Sequence, residues 1–367
     1  MTSLIRKTNL DLKYYKFQYR LLKLFTHLFP ANKKVYVANR VTQYKEMWKK
    51  AASQLAAQLY EISEDFWEIR YEGRRTWINN YKVQLDDPVI LSLAGDKAVC
   101  YALMQQHGIK VNDHCVFCLN SIPRAEGFIN EHDGLFVIKP AVDTSAGLGV
   151  TTHIKTSREG RKAAVLASIY GNKIIIERFI PGELYRLLFL NGKMIHATRR
   201  RGIWLESDGR RTVIQLFQNE IQKNTRLKYI ASADKLRTNQ DAIYTLKAQG
   251  LTCDSITETG RKVLVLGNPD GKGNLSEEVP NYSENVTQLI CPDIRKAAGK
   301  AAGVINSQFA GIDLITIDPT VPLQESRGSI IEINTTPGLH HHSNLINDDE
   351  ENHPAVKVLR HLLQITH

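Results

Sequence analysis

The stretch Ile330-Ile-Glu332-Ile-Asn334-Thr-Thr-Pro337-Gly338 decides how this chain is read. Isoleucine alternates there with Glu332 and Asn334, so a strand is expected with both polar side chains on one face, because residues two apart on a strand point the same way. Upstream, Gly311-Ile-Asp313-Leu-Ile reads as a neighbouring strand able to complete an all-oxygen site. Carboxylates in adjacent apolar strands are costly to bury without a cation. Hard oxygen ligands suit Mg2+, which takes few protein carboxylates and fills its remaining positions with water and substrate phosphates. Asp313, Glu332 and Asn334 are therefore the candidate metal ligands.

Further back, Phe136-Val-Ile-Lys139-Pro140 is an apolar strand that delivers a lysine and runs into Asp143-Thr-Ser-Ala-Gly147-Leu-Gly149. Small residues let backbone N–H groups converge on phosphate oxygens, while Lys139 brings a positive charge from a rigid strand. A glycine-rich turn after a strand is also common as plain structure, and this one lacks the Gly-Lys-Ser/Thr of the Walker pattern. Between the two constellations lies Ile174-Ile-Ile-Glu177-Arg178-Phe179-Ile180-Pro-Gly-Glu183-Leu-Tyr-Arg186. Its Pro-Gly break leaves backbone groups for the edge of a flat heterocycle, with Phe179 and Ile180 as walls.

Periodicity supplies the elements around these motifs. Thr42 can cap a helix over 42–60 that turns Tyr44, Met47, Trp48, Ala51, Leu55 and Leu59 to one side. Phe66–Tyr71 and Thr76–Tyr81 alternate about Glu72-Gly73-Arg74, a hairpin pattern, and Asn191-Gly192 marks a second hairpin from Leu184 to Thr198. Helices are expected over 96–107, 158–170, 292–308 and 354–365, and strands over 135–139, 173–179, 312–317 and 329–333. The chain after Arg201 is mixed, with a loop at 267–274. Residues 10–29 mix aromatics and Leu with Lys and Arg, which reads as an amphipathic helix ended by Pro30.

With 43% apolar and 23% charged residues among 367, the chain is globular, and disorder and collagen are excluded. Apolar runs such as Val263-Leu-Val-Leu have strand length, far short of the roughly 18–20 residues of a membrane-spanning helix. The N-terminus lacks the pattern of a secretory signal, so a cytoplasmic location is expected. Five cysteines are an odd number in a chain this size, so reduced thiols are expected. Cys115 and Cys118 have zinc-like spacing but no second pair, and no metal site is expected there. Residues 1–50 hold twelve Lys and Arg against Asp11 and Glu46, which accounts for the whole net charge of +10. The remainder is neutral, so no nucleic-acid partner is expected.

The order of these parts resembles the ATP-grasp superfamily, and most closely the branch that holds the ATP-grasp region of cyanophycin synthetase, the glutathione synthetase module of bifunctional glutathione enzymes and the ribosomal-protein glutamate ligases. The resemblance runs from Leu91-Ser-Leu-Ala-Gly-Asp96-Lys97 to about His342 and includes Arg199-Arg200 followed by Glu206-Ser-Asp-Gly. It implies an α/β (α+β) ATP-grasp fold: a small N-terminal α/β lobe with the basic arm at 1–92, a central lid domain at 93–182, and a C-terminal antiparallel-sheet domain at 183–367. The nucleotide is then held between the last two.

The implied activity is an ATP-dependent carboxylate–amine ligase that forms an amide or peptide bond through an acyl phosphate, on amino-acid-like small molecules. Ligation onto a peptide or protein, and a non-catalytic nucleotide-binding scaffold, are the alternatives. Carried over from the resemblance, ATP is bound by Lys97, Lys139, Gly147, Gly149, Glu177, Arg178, Phe179, Ile180 and Glu183. Mg2+ is held by Asp313, Glu332 and Asn334, and Arg186 and Arg200 are the catalytic cations. The usual ribose-holding acid falls at Leu184, with Glu183 one step earlier. Only 25 residues follow His342, so a Mur-ligase-like second active site is not expected. His340 and His341 are candidate substrate contacts that bind the carboxylate or take the amine proton, a solvent-exposed histidine run being the other reading. Expected partners are the small-molecule carboxylate and amine, an anionic surface or protein met by residues 1–50, and a second copy in a homodimer.

Overall fold

Short polar and glycine signals set the element boundaries. Asp96 accepts hydrogen bonds from the backbone N–H groups of Ala98 and Val99 and so opens a helix. Thr156 and Glu159 form a reciprocal capping box that opens another. Glu72-Gly73 and Asn191-Gly192 are both left-handed pairs, with φ of 46° and 77° and of 47° and 72°. Two consecutive positive φ values give the tight turn whose twist matches paired strands.

The computed structural model describes residues 13, 14, 17, 33–142, 149–201, 203–223, 236–237, 240–266, 282–343, 345, 347 and 353–365. The expected helix at 10–29 and the loop at 267–274 fall outside these, apart from three positions of the former. In chain order the elements begin with α1 (Lys33–Gln54), β1 (Gln58–Glu61), β2 (Phe66–Tyr71), β3 (Arg74–Asn79), α2 (Pro88–Ala94) and α3 (Lys97–Gln106). There follow β4 (His114–Phe117), α4 (Ile122–Glu131), β5 (Phe136–Pro140), β6 (Thr151–Ile154), α5 (Ser157–Ser168) and β7 (Ile174–Arg178). Next come β8 (Glu183–Leu190), β9 (Lys193–Arg201), β10 (Ile203–Glu206), α6 (Val213–Lys223), α7 (Gln240–Ala248), β11 (Lys262–Leu266) and β12 (Tyr282–Asn285). The last are α8 (Pro292–Val304), β13 (Phe309–Thr316), β14 (Ser329–Thr335) and α9 (Pro354–Leu362). The helix expected over 42–60 ends at Gln54, since Ala56 turns left-handed at φ 54° and Gln58–Glu61 joins a sheet instead.

Two compact units share the chain. One is formed from Asn112–Phe179 and Arg201–Tyr282, the other from Thr26–Val111, Ile180–Arg200 and Ser283–His367. In the first, the sheet β4-β7-β5-β6 buries Phe117, Phe136, Ile138, Ile174 and Ile176 against Phe128 and Ile129 of α4 and the alanines of α5. The β10–β11 ribbon carries its own core with α6 and α7, built on Ile203, Leu205, Val263, Val265, Phe217 and Leu246.

The second unit is organised by the sheet β12-β9-β8-β13-β14, in which β9, β8, β13 and β14 are antiparallel neighbours. One face of it changes character along its strands. Leu188, Leu190 and Phe309 enter a core with Tyr44, Trp48, Trp67, Ile69, Ile78, Val358 and Leu359. Further along the same face stand Arg186 on β8 and, opposite it in register, Asp313 on β13. The other face carries Phe189, which touches Gly299 of α8 so closely that an added Cβ would lie 3.1 Å from its ring.

The Pro-Gly break before β8 is sterically fixed. Gly182 has φ of 129°, and a Cβ there would lie 2.8 Å from the Ile317 nitrogen and closer still to the Thr316 carbonyl. Gly192 is also left-handed, but open space surrounds it. Gly182→Ala is therefore expected to destabilise the protein by roughly 3 kcal/mol or more, through backbone overlap, and Gly192→Ala by only about 1 kcal/mol, through conformation alone. Urea denaturation of the two variants checks this; equal losses would mean that the Thr316 contact does not hold the break.

Candidate active site

Strand register in the second unit assembles a row of charged side chains. Asp313 is paired with Arg186 of β8 on one side and with Glu332 of β14 on the other, and Asn334 lies two residues beyond Glu332. All four share one face. Asp313 is 3% exposed, and both its oxygens accept from Arg186, Nε to Oδ1 and Nη2 to Oδ2, each at 2.6 Å. The Asn334 side-chain nitrogen lies 3.3 Å from Asp313 Oδ2. Lys97, the first residue of α3, reaches Glu332 Oε1 with Nζ at 2.8 Å. Each acid thus carries a buried cation, as the cost of burying isolated charge requires.

The donor chemistry of this row fits Mg2+. Two carboxylates and one amide are hard ligands, and a carboxylate keeps acceptor positions after a bidentate arginine has used two of about four. Turning the Asn334 amide over puts its oxygen where its nitrogen now meets Asp313. Among the described residues no three His, Cys, Asp or Glu side chains converge as a metal cluster. A set with so few acidic donors would suit an ion that keeps water and phosphate in its shell.

Arg200 stands on β9 on the same face as Arg186, and both are buried. The turn Leu339–His342 follows β14, and its His341 and His342 are buried rather than solvent-exposed. Burial, then charge from His340, Arg200 and Arg186, pushes the His341 imidazole well below its ordinary pKa. His342 Nδ1 lies 2.9 Å from Nδ1 of His196, two residues before Thr198 on β9. Burial, then the charges of His353 and Lys357, pushes His196 down to about 4. Burial, then His196 and Arg186, pushes His342 down as well.

Glu183 is three residues from Arg186 on an unbroken stretch of β8, so the pleat sends it to the opposite face. There it accepts from Arg199 Nη1 at 3.0 Å, and Arg199 also pairs with Glu284. Tyr185 OH approaches Glu183 at 3.4 Å, and burial, then the Glu183 charge, pushes its phenol up to about 12. Sequence reading missed Arg199, Glu284 and Tyr185 as Glu183 partners; the odd spacing from Arg186 was the available signal.

In the first unit Lys139 Nζ and Glu177 Oε1 form a buried ion pair at 2.8 Å across β5 and β7. The Arg178 backbone is engaged: its N–H donates to the Asp113 carbonyl at 3.1 Å, and its carbonyl accepts from Asn112 Nδ2 at 2.5 Å. The Phe179 ring lies 4.3 Å from that of His153, centre to centre. Gly149 has φ of 75°, and a Cβ there would lie 2.7 Å from the Tyr170 ring and 2.9 Å from Pro140. Gly147 lies outside the described residues. Ile180 is buried in the second unit.

These sheets, with the helices packed on them, have the ATP-grasp fold. A bifunctional glutathione synthetase from Pasteurella multocida shares it, superposing with a TM-score of 0.59 at 20% identity over 86% of this chain and 43% of that one. In sequence the chain is related to a cyanophycin synthetase from Synechocystis sp., 29% identical over 69% of this chain and 28% of the relative. It is also related to the glutathione biosynthesis bifunctional protein GshAB of Listeria innocua, 24% identical over 81% of this chain and 38% of the relative. The chain thus spans well under half the length of these curated relatives. No protein-family model matches it.

Two outcomes follow from the buried charges. Arg186→Leu leaves Asp313 buried and uncompensated, so a loss of about 3–5 kcal/mol is expected, most of it regained by the further change Asp313→Leu; a double-mutant cycle in urea measures both. The unfolded chain protonates His196 near its ordinary 6.5 while the folded one resists until about 4. Stability is therefore full above pH 6.5 and falls as pH drops through that window, by ~1.4 kcal/mol per pH unit for each such histidine. His196→Gln should flatten the slope by about one proton, and an unchanged slope would remove His196 from the account.

Proposed function

We propose that this chain is an ATP-dependent carboxylate–amine ligase that produces ADP. The observation that carries the reading is the register of Asp313 with Glu332 on adjacent strands, with Asn334 beside them and with Arg186 and Lys97 already paired to the two acids. The kinship to cyanophycin synthetase and GshAB supports it. A carboxylate oxygen attacks the γ-phosphorus of ATP, ADP leaves, and an amine nitrogen then displaces phosphate from the acyl carbon and loses its proton. The protein's task is to neutralise charge spread over phosphoryl oxygens and to align the reacting groups.

In this reading Asp313, Glu332 and Asn334 hold Mg2+, which supplies charge neutralisation and a template for the phosphates. Lys97 and Arg186 are the protein's own cations beside that row, and Arg200 adds a third on the same face. Lys139, held by Glu177, offers positive charge to the nucleotide, and Gly149 belongs to the loop that covers it. The substrates are an amino-acid-like carboxylate and an amine.

A screen of candidate carboxylate and amine pairs for Mg2+-dependent ADP release tests the proposal. Glu332→Gln removes one anionic ligand while keeping the side-chain shape, and it should lower turnover on the order of 100-fold; because the change also takes the counter-charge from Lys97, turnover is compared below the variant's own melting temperature. Full activity in that variant would reject the metal assignment. A wild-type protein that binds Mg2+-ATP but releases no ADP with any pair would leave a nucleotide-binding scaffold.

A further inference from the structure

The N-terminal helix reaches the turn that follows the metal strand. Tyr44 of α1 is fully buried, and its hydroxyl lies 2.5 Å from Nδ1 of His340. The backbone N–H of His340 donates to the same hydroxyl oxygen at 3.4 Å. The two rings meet edge-on with centroids 5.6 Å apart. Gly338 closes the arrangement from below: a Cβ there would lie 2.7 Å from His340 Nδ1 and 3.1 Å from the Tyr44 hydroxyl. Two residues from distant parts of the chain, Tyr44 and Gly338, are thus fitted around one imidazole.

We infer that Tyr44 is a positioning residue that holds His340 in the Nε2–H tautomer, making it a hydrogen-bond donor to an anionic group of the substrate rather than the base that takes the amine proton. This rests on the ligase reading for its functional half. A tyrosine hydroxyl has one proton and an oxygen that accepts. With that oxygen accepting the backbone N–H, the proton is directed to Nδ1, 2.5 Å away, and the imidazole proton is left on Nε2. A nitrogen that carries a proton donates and cannot take another from an amine.

The surroundings favour an anion. The His340 ring meets that of His341 tilted by 41° with centroids 3.8 Å apart, and His341 lies within the charge field of Arg200 and Arg186. Positive charge beside the imidazole draws in a carboxylate or phosphoryl oxygen, the groups that the proposed chemistry consumes and transfers. Tyr44 itself touches neither; it acts through the ring that it orients.

The test uses the full chain with 15N-labelled histidine, the His340 signals being assigned by their loss in His340→Gln. Long-range 1H–15N spectra at pH 7.5 should show His340 with Nδ1 bare and Nε2 protonated. In Tyr44→Phe this preference should collapse to a mixture of tautomers, while the His196 and His342 signals stay in place and so report an intact fold. Adding inorganic phosphate as the anionic probe should shift the wild-type Nε2–H resonance at a lower phosphate concentration than in Tyr44→Phe, where only part of the population carries that proton. A wild-type His340 protonated on Nδ1, a tautomer indifferent to Tyr44→Phe, or an Nε2–H signal untouched by phosphate would each overturn the inference. These readouts need no turnover, so failure of every carboxylate and amine pair to yield ADP would reject the ligase reading and leave the tautomer result standing.

Discussion

The two hydrogen bonds between Arg186 and Asp313 hold the second unit to one register. Both groups are buried in the middle of the sheet, where either alone would be strongly destabilising and the two together are tolerable only with good geometry. A slip of one residue between β8 and β13 would send Arg186 and Asp313 to opposite faces and leave both charges stranded. The same register sets Asp313 opposite Glu332, so the contact that forbids the slip also aligns the oxygen row. Leu188, Leu190 and Phe309 continue the face into the apolar core, which makes the polar end an extension of ordinary sheet packing rather than a separate construction.

What was legible in the sequence was short-range. The alternation at Glu332 and Asn334, the Asn191-Gly192 turn and the helix expected from Asp96 each work within a few residues, and strand and helix periods translate them directly into geometry. What was hidden depends on distant partners. The Arg178 backbone is engaged by Asn112 and Asp113, far upstream, and nothing local to Arg178 announces them. Glu183 is a middle case: the resemblance singled it out one step before the usual ribose-holding acid, while its odd spacing from Arg186 along the strand is what brings it to Arg199 on the opposite face. The histidine run was ambiguous for the same reason, since burial of His341 and His342 depends on the β9 strand and on what covers it.

Charge balance explains why so many titratable groups can sit near one another. Arg186 and Lys97 each spend their charge on an acid, and the histidines beside them remain neutral because burial and neighbouring positive charge both resist their protonation. The result is a set of donors around the oxygen row in which two of the cations are balanced and Arg200 adds its charge on the same face. Such a surface meets a polyanion without a large repulsion or a large desolvation cost to undo first.

The core of the second unit joins α1 to α9, with Trp48 and Tyr44 from one end of the chain packed in the same cluster as Val358 and Leu359 from the other. On a translating ribosome the aromatic face of α1 emerges before α9 and waits for these last neighbours until about three hundred further residues have been made. Contacts of such wide sequence separation form slowly, because loop-closure entropy opposes them before any packing rewards them. During that interval the face exposes Trp48 and Tyr44 to other nascent chains and to holdase chaperones, so yield in cells should depend on elongation speed and chaperone supply as well as on the stability of the finished fold.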